Sequence, residues 1–431
     1  MASIKRIVGA SMIGTTVEWY DFFLYGSAAA LVFNKLFFPA ADPLIGTLIA
    51  FASYGLGFIA RPLGGVVFGH FGDRLGRKKL LVLSLLLMGT ATFAMGLLPT
   101  YATIGIGAPI LLTLLRLVQG FALGGEWGGA VLIVSEHGDA RRRGFWTSWP
   151  QAGVPTGNLL ATAVLAILAA VQTDEAFLSW GWRIPFLLSG ILVGIGLWIR
   201  LTVAESPIFL AAQANAVAGE KAPIVEVVRR HWRELLVAIG ARLAENVTYY
   251  VITVFSLTYI TGTLKLSKSV GLNALLIASA IHLVAIVSWG TLSDRLGRRK
   301  VYLFGAVGTG LWTFVFFLLL DTKSFALVTL AVTVGLVLHA AMYGPQAAFF
   351  SELFGTRVRY SGASVGYQLA SIVAGALAPF IAVWLLATFH SAVPVSVYVA
   401  LMAVLTTIAV TLSRETQGVD LEHEERVSMG A

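Results

Sequence analysis

Seven ionisable residues stand where a charge is expensive. Glu18, Asp21, Arg61, Arg116, Glu126, Arg242 and Glu245 all fall inside long apolar stretches. In a bilayer each costs several kcal/mol, so such residues are functional candidates by default. Three are cationic and four anionic, and pairing every arginine leaves one carboxylate over, which is what a proton carrier needs. Asp21 and Arg116 form the favoured proton-coupling pair. A guanidinium keeps a neighbouring carboxylate ionised, whereas burial favours the neutral acid. If Arg116 moved to another anion, Asp21 would be released to take a proton. The same two residues can instead make a permanent ion pair that fixes helix register. Glu126, within GGEWGG, and Glu18, nearly one turn before Asp21, read either as further proton relays or as packing anchors. Arg61, followed by Pro62, can greet an anionic substrate or satisfy Glu18 or Asp21. Arg242 and Glu245 are three apart on one helix face and can pair with each other.

A second group could line a substrate cavity. His282, Asn246, Tyr249, Tyr367 and Gln368 lie in apolar stretches of the second half, and Tyr20, Tyr25 and Gln151 in those of the first. With Arg61 and Arg242 they make up the candidate substrate site. A lone histidine on an apolar helix is more often packed and hydrogen-bonded than a ligand, and this applies to His282 and more so to His339. No metal set emerges from seven scattered histidines, and zero cysteines exclude thiolate chemistry. Neither a phosphate-binding G-x-x-x-x-G-K-[ST] nor H-E-x-x-H is present, so neither an ATP-driven pump nor a zinc protease is expected. The reading is not an enzyme, with no cofactor and the proton as coupling ion.

The elements that must hold these residues follow from composition. The 431 residues are 57% apolar and only 12% charged, with a mean hydropathy of +0.83. Soluble domains carry about 25% charged residues. A spanning helix takes about 20 apolar residues. The apolar runs are continuous rather than alternating, which excludes a membrane β-barrel. Spans are expected at 7–33, 44–69, 80–98, 107–135, 145–170, 183–201, 234–261, 268–290, 301–320, 325–350, 361–389 and 394–412. The first is a span rather than a cleavable leader, because Glu18 and Asp21 interrupt its middle. Of the 30 Lys and Arg, 22 fall on the side of the N-terminus and five on the other. This bias places both termini in the cytoplasm and explains the net charge of +8 without a nucleic-acid partner. The chain divides into an N-terminal six-helix bundle (1–201), a linker (202–233), a C-terminal bundle (234–413) and a charged, mobile tail (414–431).

The halves repeat. GDRLGRKKL (72–80) follows the second span and SDRLGRRKV (293–301) the eighth, and Ser135-Glu136 with Arg143 is echoed by Ser351-Glu352 with Arg359. Asp73, Arg74, Arg77, Asp294 and Arg295 form a candidate cytoplasmic gate in two loops. The aspartates can pair with a cation or cap a helix end, and Asp294 is expected to matter less than Asp73. GxGxxA at 55–60 and the pairs Gly65/Gly69, Gly120/Gly124 and Gly125/Gly129 read as close helix packing.

The segment GHFGDRLGRK (69–78) resembles the loop motif of the major facilitator superfamily. VEWYDFFLYG (17–26), ARPLGGVVFGHFGDRLGRKK (60–79), RLVQGFALGGEWGGA (116–130), SWGWRIPF (179–186) and ESPIF (205–209) are similar to its metabolite:H⁺ symporter family. The resemblance implies an all-α, twelve-helix fold of two six-helix pseudo-repeats in the cell membrane. It also implies proton-coupled import by alternating access. Related proton-coupled sugar porters show a similar acid in span 1 facing an arginine in span 4. Relatives carry organic acids such as dicarboxylates, tricarboxylates and shikimate, or osmolytes. The expected cargo is therefore a small polar metabolite, favoured as an organic acid, with a zwitterionic osmolyte as the alternative. An efflux antiporter is disfavoured because QAGVPTGNLL (151–160) lacks the glycine pair of an export motif. A membrane sensor is disfavoured because no signalling domain fits. The expected partners are the cargo and the lipid bilayer, and the protein is expected to be monomeric.

Overall fold

The computed structural model describes residues 4–39, 43–75, 77–124, 131–132, 134–135, 137–202, 223–354 and 358–419. Among these there are no strands and there are twelve long helical rods. They are α1 (Ile4–Ala28), α2 (Pro43–Leu75), α3 (Arg77–Leu97), α4 (Gly107–Leu123), α5 (Arg143–Val171), α6 (Arg183–Thr202), α7 (Trp232–Tyr250), α8 (Lys268–Leu296), α9 (Arg298–Asp321), α10 (Phe325–Leu353), α11 (Arg359–Ala370 with Ala378–Phe389) and α12 (Val393–Leu412). Eight or nine are long and apolar enough by themselves to cross a bilayer. The described apolar parts of α3 and α4 are shorter, and α1 is diluted by its buried carboxylates. The expected spans match these rods; residues 203–222 of the expected linker (202–233) and 420–431 of the expected tail (414–431) lie outside the described residues, and the linker's Pro223–Arg230 is helical.

Helices α1–α6 pack among themselves, as do α7–α12, and the two sets meet chiefly along α5–α8 and along α2–α11. Glycines set the closest contacts. A Cβ on Gly120 would sit 1.9 Å from the Gly57 carbonyl oxygen, one on Gly64 1.8 Å from that of Phe121, and one on Gly124 1.9 Å from that of Arg61. Backbone-to-backbone contact of this kind is what small residues permit between helices in lipid. Here it sets α2 against α4 and brings Arg61 and Arg116 into one region. Wide turns continue α1 at Ala29–Phe33, α7 at Val251–Phe255 and join the two parts of α11 at Ser371–Ala376.

The repeated motif is not a loop. Asp73 and Arg74 belong to the last turn of α2 and Arg77 begins α3, although their side chains lie outside the described part. Asp294 and Arg295 likewise belong to α8, and the chain reverses at Gly297 alone, whose φ of 101° favours glycine. Asp294 then bridges the halves. Its two oxygens accept the Gly144 and Phe145 backbone N–H groups at 2.8 Å each, at the start of α5. A carboxylate there satisfies orphan helix donors and favours the positive end of the helix dipole. Arg298 clamps the same carboxylate at 2.7 Å.

Beside it, buried Glu352 of α10 takes Arg143 of α5 at 2.9 Å, Arg298 at 3.2 Å and the Thr416 hydroxyl at 2.9 Å. Ser135 and Ser351 meet across the halves at 2.8 Å. Arg295 was expected in this gate but is exposed and makes no ion pair among the described residues, and it is Arg298 that bridges. Residues 414–419, expected to belong to a mobile tail, are held against the bundle. Glu415 accepts the Arg298 and Arg299 backbone N–H groups at 2.9 and 3.2 Å, and the Val419 carbonyl takes Arg143 at 3.1 Å. At the opposite end one exposed strap crosses the seam, Lys268 to Asp174 at 2.5 Å. Lys268 holds the Asp174 carboxyl below its usual range, but a pair so exposed contributes little.

Two outcomes are expected. Gly120→Val should destabilise by more than the ~1–3 kcal/mol typical of overpacking, because its neighbour is backbone that cannot yield. Thermal unfolding followed by size-exclusion chromatography should show this, with Gly194→Ala, which meets nothing within 4 Å, as the neutral control. Asp294→Asn puts an amide donor where two N–H groups need acceptors, so it should open the basic end markedly. In the naturally cysteine-free chain, Ser148→Cys provides a buried reporter on α5. Its alkylation should accelerate about tenfold with Asp294→Asn, equivalent to about 1.4 kcal/mol of population shift. An unchanged rate would leave Asp294 without a gating role.

Candidate functional site

The ionisable residues of the spans converge at the middle of the bundle, but not in the pairs expected. The Arg116 guanidinium is fully buried. It donates to Gln119 Oε1 at 2.5 Å and to the Tyr54 carbonyl at 3.3 Å, and lies 4.3–4.6 Å from the ring centres of Phe22, Tyr25 and Tyr54. No ion pair joins it to Asp21 among the described residues. Asp21 is fully buried, and among the described residues neither of its carboxylate oxygens makes a hydrogen bond of good geometry. Thr92 of α3 is the hydroxyl that faces it, but that hydroxyl donates to the Met88 carbonyl at 3.0 Å. The reason is steric. Successive helical residues point about 100° apart, and it is Phe22, the next residue, whose ring covers Arg116. Gln119 links the two groups indirectly, donating to Thr92 at 2.7 Å and to the Asp21 backbone carbonyl at 3.5 Å.

Arg61 repeats this solution. Its guanidinium is buried against Phe58 at 4.3 Å, Phe22 at 4.4 Å and Trp19 at 5.6 Å. Its Nε and Nη2 have no hydrogen-bond partner among the described residues. The Phe22 ring thus lies between two guanidiniums. Cation–π contact stabilises a desolvated cation by about 2 kcal/mol, far below the cost of burying it. The charge count, in which three paired arginines leave one carboxylate over, is therefore not seen as three ion pairs among the described residues. Among the described residues, neither Arg61 nor Arg116 has a carboxylate partner. Glu126 lies outside the described residues, and Glu18 is buried in α1.

In the other half the expected pair forms. Arg242 meets Glu245 at 3.2 Å, donates to Gln346 at 2.9 Å and Ser371 at 3.3 Å, and lies 3.2 Å over the Tyr367 ring centre. The histidines are not separate packing residues. His282 Nε2 and His339 Nδ1 are 2.9 Å apart, and His339 Nε2 reaches Glu245 Oε1 at 3.1 Å.

Between the halves lies a small chamber, closed down to about the size of one water, lined by Trp19 and Val154 from one side and by Arg242, Glu245, Asn246, Tyr249, Tyr250, His339, Tyr343 and Tyr367 from the other. Among the described residues the Tyr249 and Tyr343 hydroxyls make no hydrogen bond of good geometry, which leaves two donors that a polar guest can take. Asn246 sits 3.5 Å from Ser371. Gln151 and Gln368 are used across the interface, donating to the Tyr343 and Gly124 carbonyls at 3.3 and 3.2 Å. Tyr20 and Tyr25 turn away from the chamber, Tyr20 to the Pro185 carbonyl at 2.7 Å and Tyr25 to Ser53 at 2.8 Å, where their hydroxyls are satisfied within the first half. Sequence reasoning missed Gln119, Gln346, Tyr343 and Trp19. For the two glutamines the signal was present: an amide at membrane depth is nearly as unusual as a charge.

The Major Facilitator Superfamily model matches residues 11–365 and 237–427. The shikimate transporter of Escherichia coli K12 is 43% identical over 97% of this chain and 96% of its own length. The proline/betaine transporter of Salmonella typhimurium LT2 is 34% identical over 96% of this chain and 84% of its own. Among solved structures, the proton:xylose symporter XylE bound to 6-bromo-6-deoxy-D-glucose superimposes with a TM-score of 0.77 over 98% of both chains at 18% identity, a likeness of fold. Two packed sets of six helices, a chamber between them and full-length relatives that are transporters agree: this multi-pass membrane chain belongs to the Major Facilitator Superfamily.

Proposed function

We propose that this protein imports a small organic anion together with a proton, by alternating access across the cytoplasmic membrane, as a monomer with both termini in the cytoplasm. One observation carries the reading. Two buried guanidiniums, Arg61 and Arg116, flank Phe22 without a carboxylate partner among the described residues, while Asp21 sits close by with no cation. Such a site is incomplete. A cargo carboxylate supplies the missing negative charge, and Arg61 offers Nε and Nη2 on one edge, suited to bidentate binding. A proton on Asp21 supplies the other half, because a neutral acid is cheap to bury. Cargo and proton then each lower the cost of binding the other. The closed basic end corresponds to the state that must break before the cargo leaves inward, and Asp73, Arg74 and Arg77 belong to the equivalent gate in the first repeat.

The 43% identical relative is a shikimate transporter, so shikimate is the first cargo to try. The proline/betaine transporter among the relatives keeps the zwitterionic alternative in view. The two guanidiniums without a carboxylate partner among the described residues favour the anion.

Uptake of radiolabelled shikimate, other carboxylates, proline and glycine betaine should be measured in a transporter-deficient host. Carboxylate uptake should rise as external pH falls and collapse with a protonophore; uptake indifferent to both would exclude proton coupling. Asp21→Asn mimics a permanently protonated acid, so accumulation should stop while cargo exchange persists. Wild-type accumulation by that variant would move the coupling role elsewhere, with Glu126 next. Arg61→Gln should raise the half-saturation concentration roughly 10- to 100-fold, from the ~1.5–3 kcal/mol of a charged hydrogen bond. A zwitterion taken up in preference to every carboxylate would replace the organic-acid reading.

A further inference from the structure

The C-terminal half contains a string of titratable groups that the Asp21 reading does not use. We propose that His282, His339 and Glu245 form a second proton-binding site, which, once protonated, frees Arg242 to hold an anion in the chamber. The proposal rests on the anion-transport reading for its purpose, but its geometry is independent of Asp21.

The hydrogen bonds fix the direction of the string. Glu245 faces Arg242 and is ionised in that pair, so its Oε1 can only accept. His339 Nε2 must therefore carry the hydrogen at the 3.1 Å contact, which leaves His339 Nδ1 bare. His282 Nε2 must then donate to it across 2.9 Å. The string ends at His282 Nδ1, a fully buried acceptor with no partner among the described residues. That atom is the open end at which a proton can enter.

The step balances without any other reagent. A proton arriving at His282 Nδ1 is followed by transfer of the Nε2 hydrogen of His282 to His339 Nδ1, and of the Nε2 hydrogen of His339 to Glu245 Oε1. The product has both rings neutral, each now protonated on Nδ1, and Glu245 as a neutral acid. Every hydrogen bond survives with its direction inverted, so no desolvated imidazolium is stored. Arg242 keeps only neutral partners, Gln346, Ser371 and the Tyr367 ring, and faces the chamber as an uncompensated cation. An anion in the chamber and a proton on the string favour one another, and by linkage the effect is reciprocal.

The other titratable neighbours do not supply a competing carboxylate. Tyr249 packs 4.8 Å from the His339 ring and 5.7 Å from His282, and Tyr343 packs 5.4 Å from His339. Tyr250, Tyr302 and Tyr367 act on Glu245 from α7, α9 and α11, and Arg61 of α2 is the cation nearest Arg242 from the first half. From α5, packed against α8, come Asn158, which meets Ser279 at 3.3 Å, and Gln151, which meets the Tyr343 carbonyl. The placement also follows the repeat. The offset that carries Asp73 to Asp294 carries Asp21 to Arg242 and Arg61 to His282. At these equivalent positions each half has a charged residue on its first helix and a basic residue on its second.

The test needs no cargo. Full-length protein in nanodiscs, labelled with ¹⁵N in its seven histidines, is followed by NMR from about pH 8 to about pH 5, bracketing the ordinary histidine range. His282→Gln and His339→Gln assign the two signals. Both rings should begin as Nε2–H and convert together to Nδ1–H on acidification. Glu245→Gln should abolish the conversion. Rings that stay Nε2–H to the lowest pH, or that become imidazolium independently, would overturn the proposal, as would conversion that persists in Glu245→Gln. If Glu245→Gln does not fold, His282→Gln decides: His339 should then remain Nε2–H, and its conversion alone would equally overturn the idea. Failure here leaves the Asp21 reading standing, and failure of proton-coupled uptake leaves these spectra unaffected.

Discussion

A charge with no counter-charge in a low-dielectric interior is the constraint on which this structure turns. Three guanidiniums are buried at the centre of the bundle, and desolvating each costs several kcal/mol before any compensation. Arg242 is compensated conventionally, by Glu245 and a set of amide and hydroxyl partners. Arg61 and Arg116 are compensated only partly, by aromatic faces and, for Arg116, two oxygen acceptors. The packing around them follows from this. The aromatic run of α1 is placed where it can face two cations, and the glycine seam between α2 and α4 lets both cations approach the same ring.

The basic end shows the opposite policy. There the two carboxylates at the seam are satisfied several times over: Glu352 by two arginines and a threonine, Asp294 by two backbone donors and an arginine. A complete network belongs to a contact that must hold in one state and be surrendered as a unit in another. An incomplete one belongs to a site that awaits a ligand. The same residue types therefore carry two roles, distinguished by how fully their hydrogen-bonding capacity is used.

Much of this was legible in the sequence. Continuous apolar runs, the Lys and Arg bias and the repeated DRLGR motif identified the rods and the two halves, because length and charge placement in lipid leave few alternatives. The exposed polar end was legible in kind, since Asp294 does cap a neighbouring helix. It was not legible in detail: Arg295 and Arg298 are both basic, and only the reversal at Gly297 decides which one turns inward. The central pairings were least legible. The residue types and the resemblance suggested Asp21 with Arg116, but neither carries a side-chain direction, and it is the Phe22 ring that faces Arg116. The histidines were underestimated for the same reason. His282 and His339 are 57 residues apart in the chain, so nothing local signals that their rings touch.

The wide turns in α1 and α7 have a mechanical consequence. Ala29–Phe33 and Val251–Phe255 lie at nearly the same place in the two repeats, each just beyond the chamber-facing part of its helix. A turn with i→i+5 bonding inserts an extra residue and is softer than regular helix. It decouples twist above it from twist below it. The outer stretch of α1 or α7 can therefore swivel while the inner stretch keeps its aromatic contacts. One end of the molecule acquires an articulated joint, whereas the other, bound by charged clamps onto straight rods, moves only as a block.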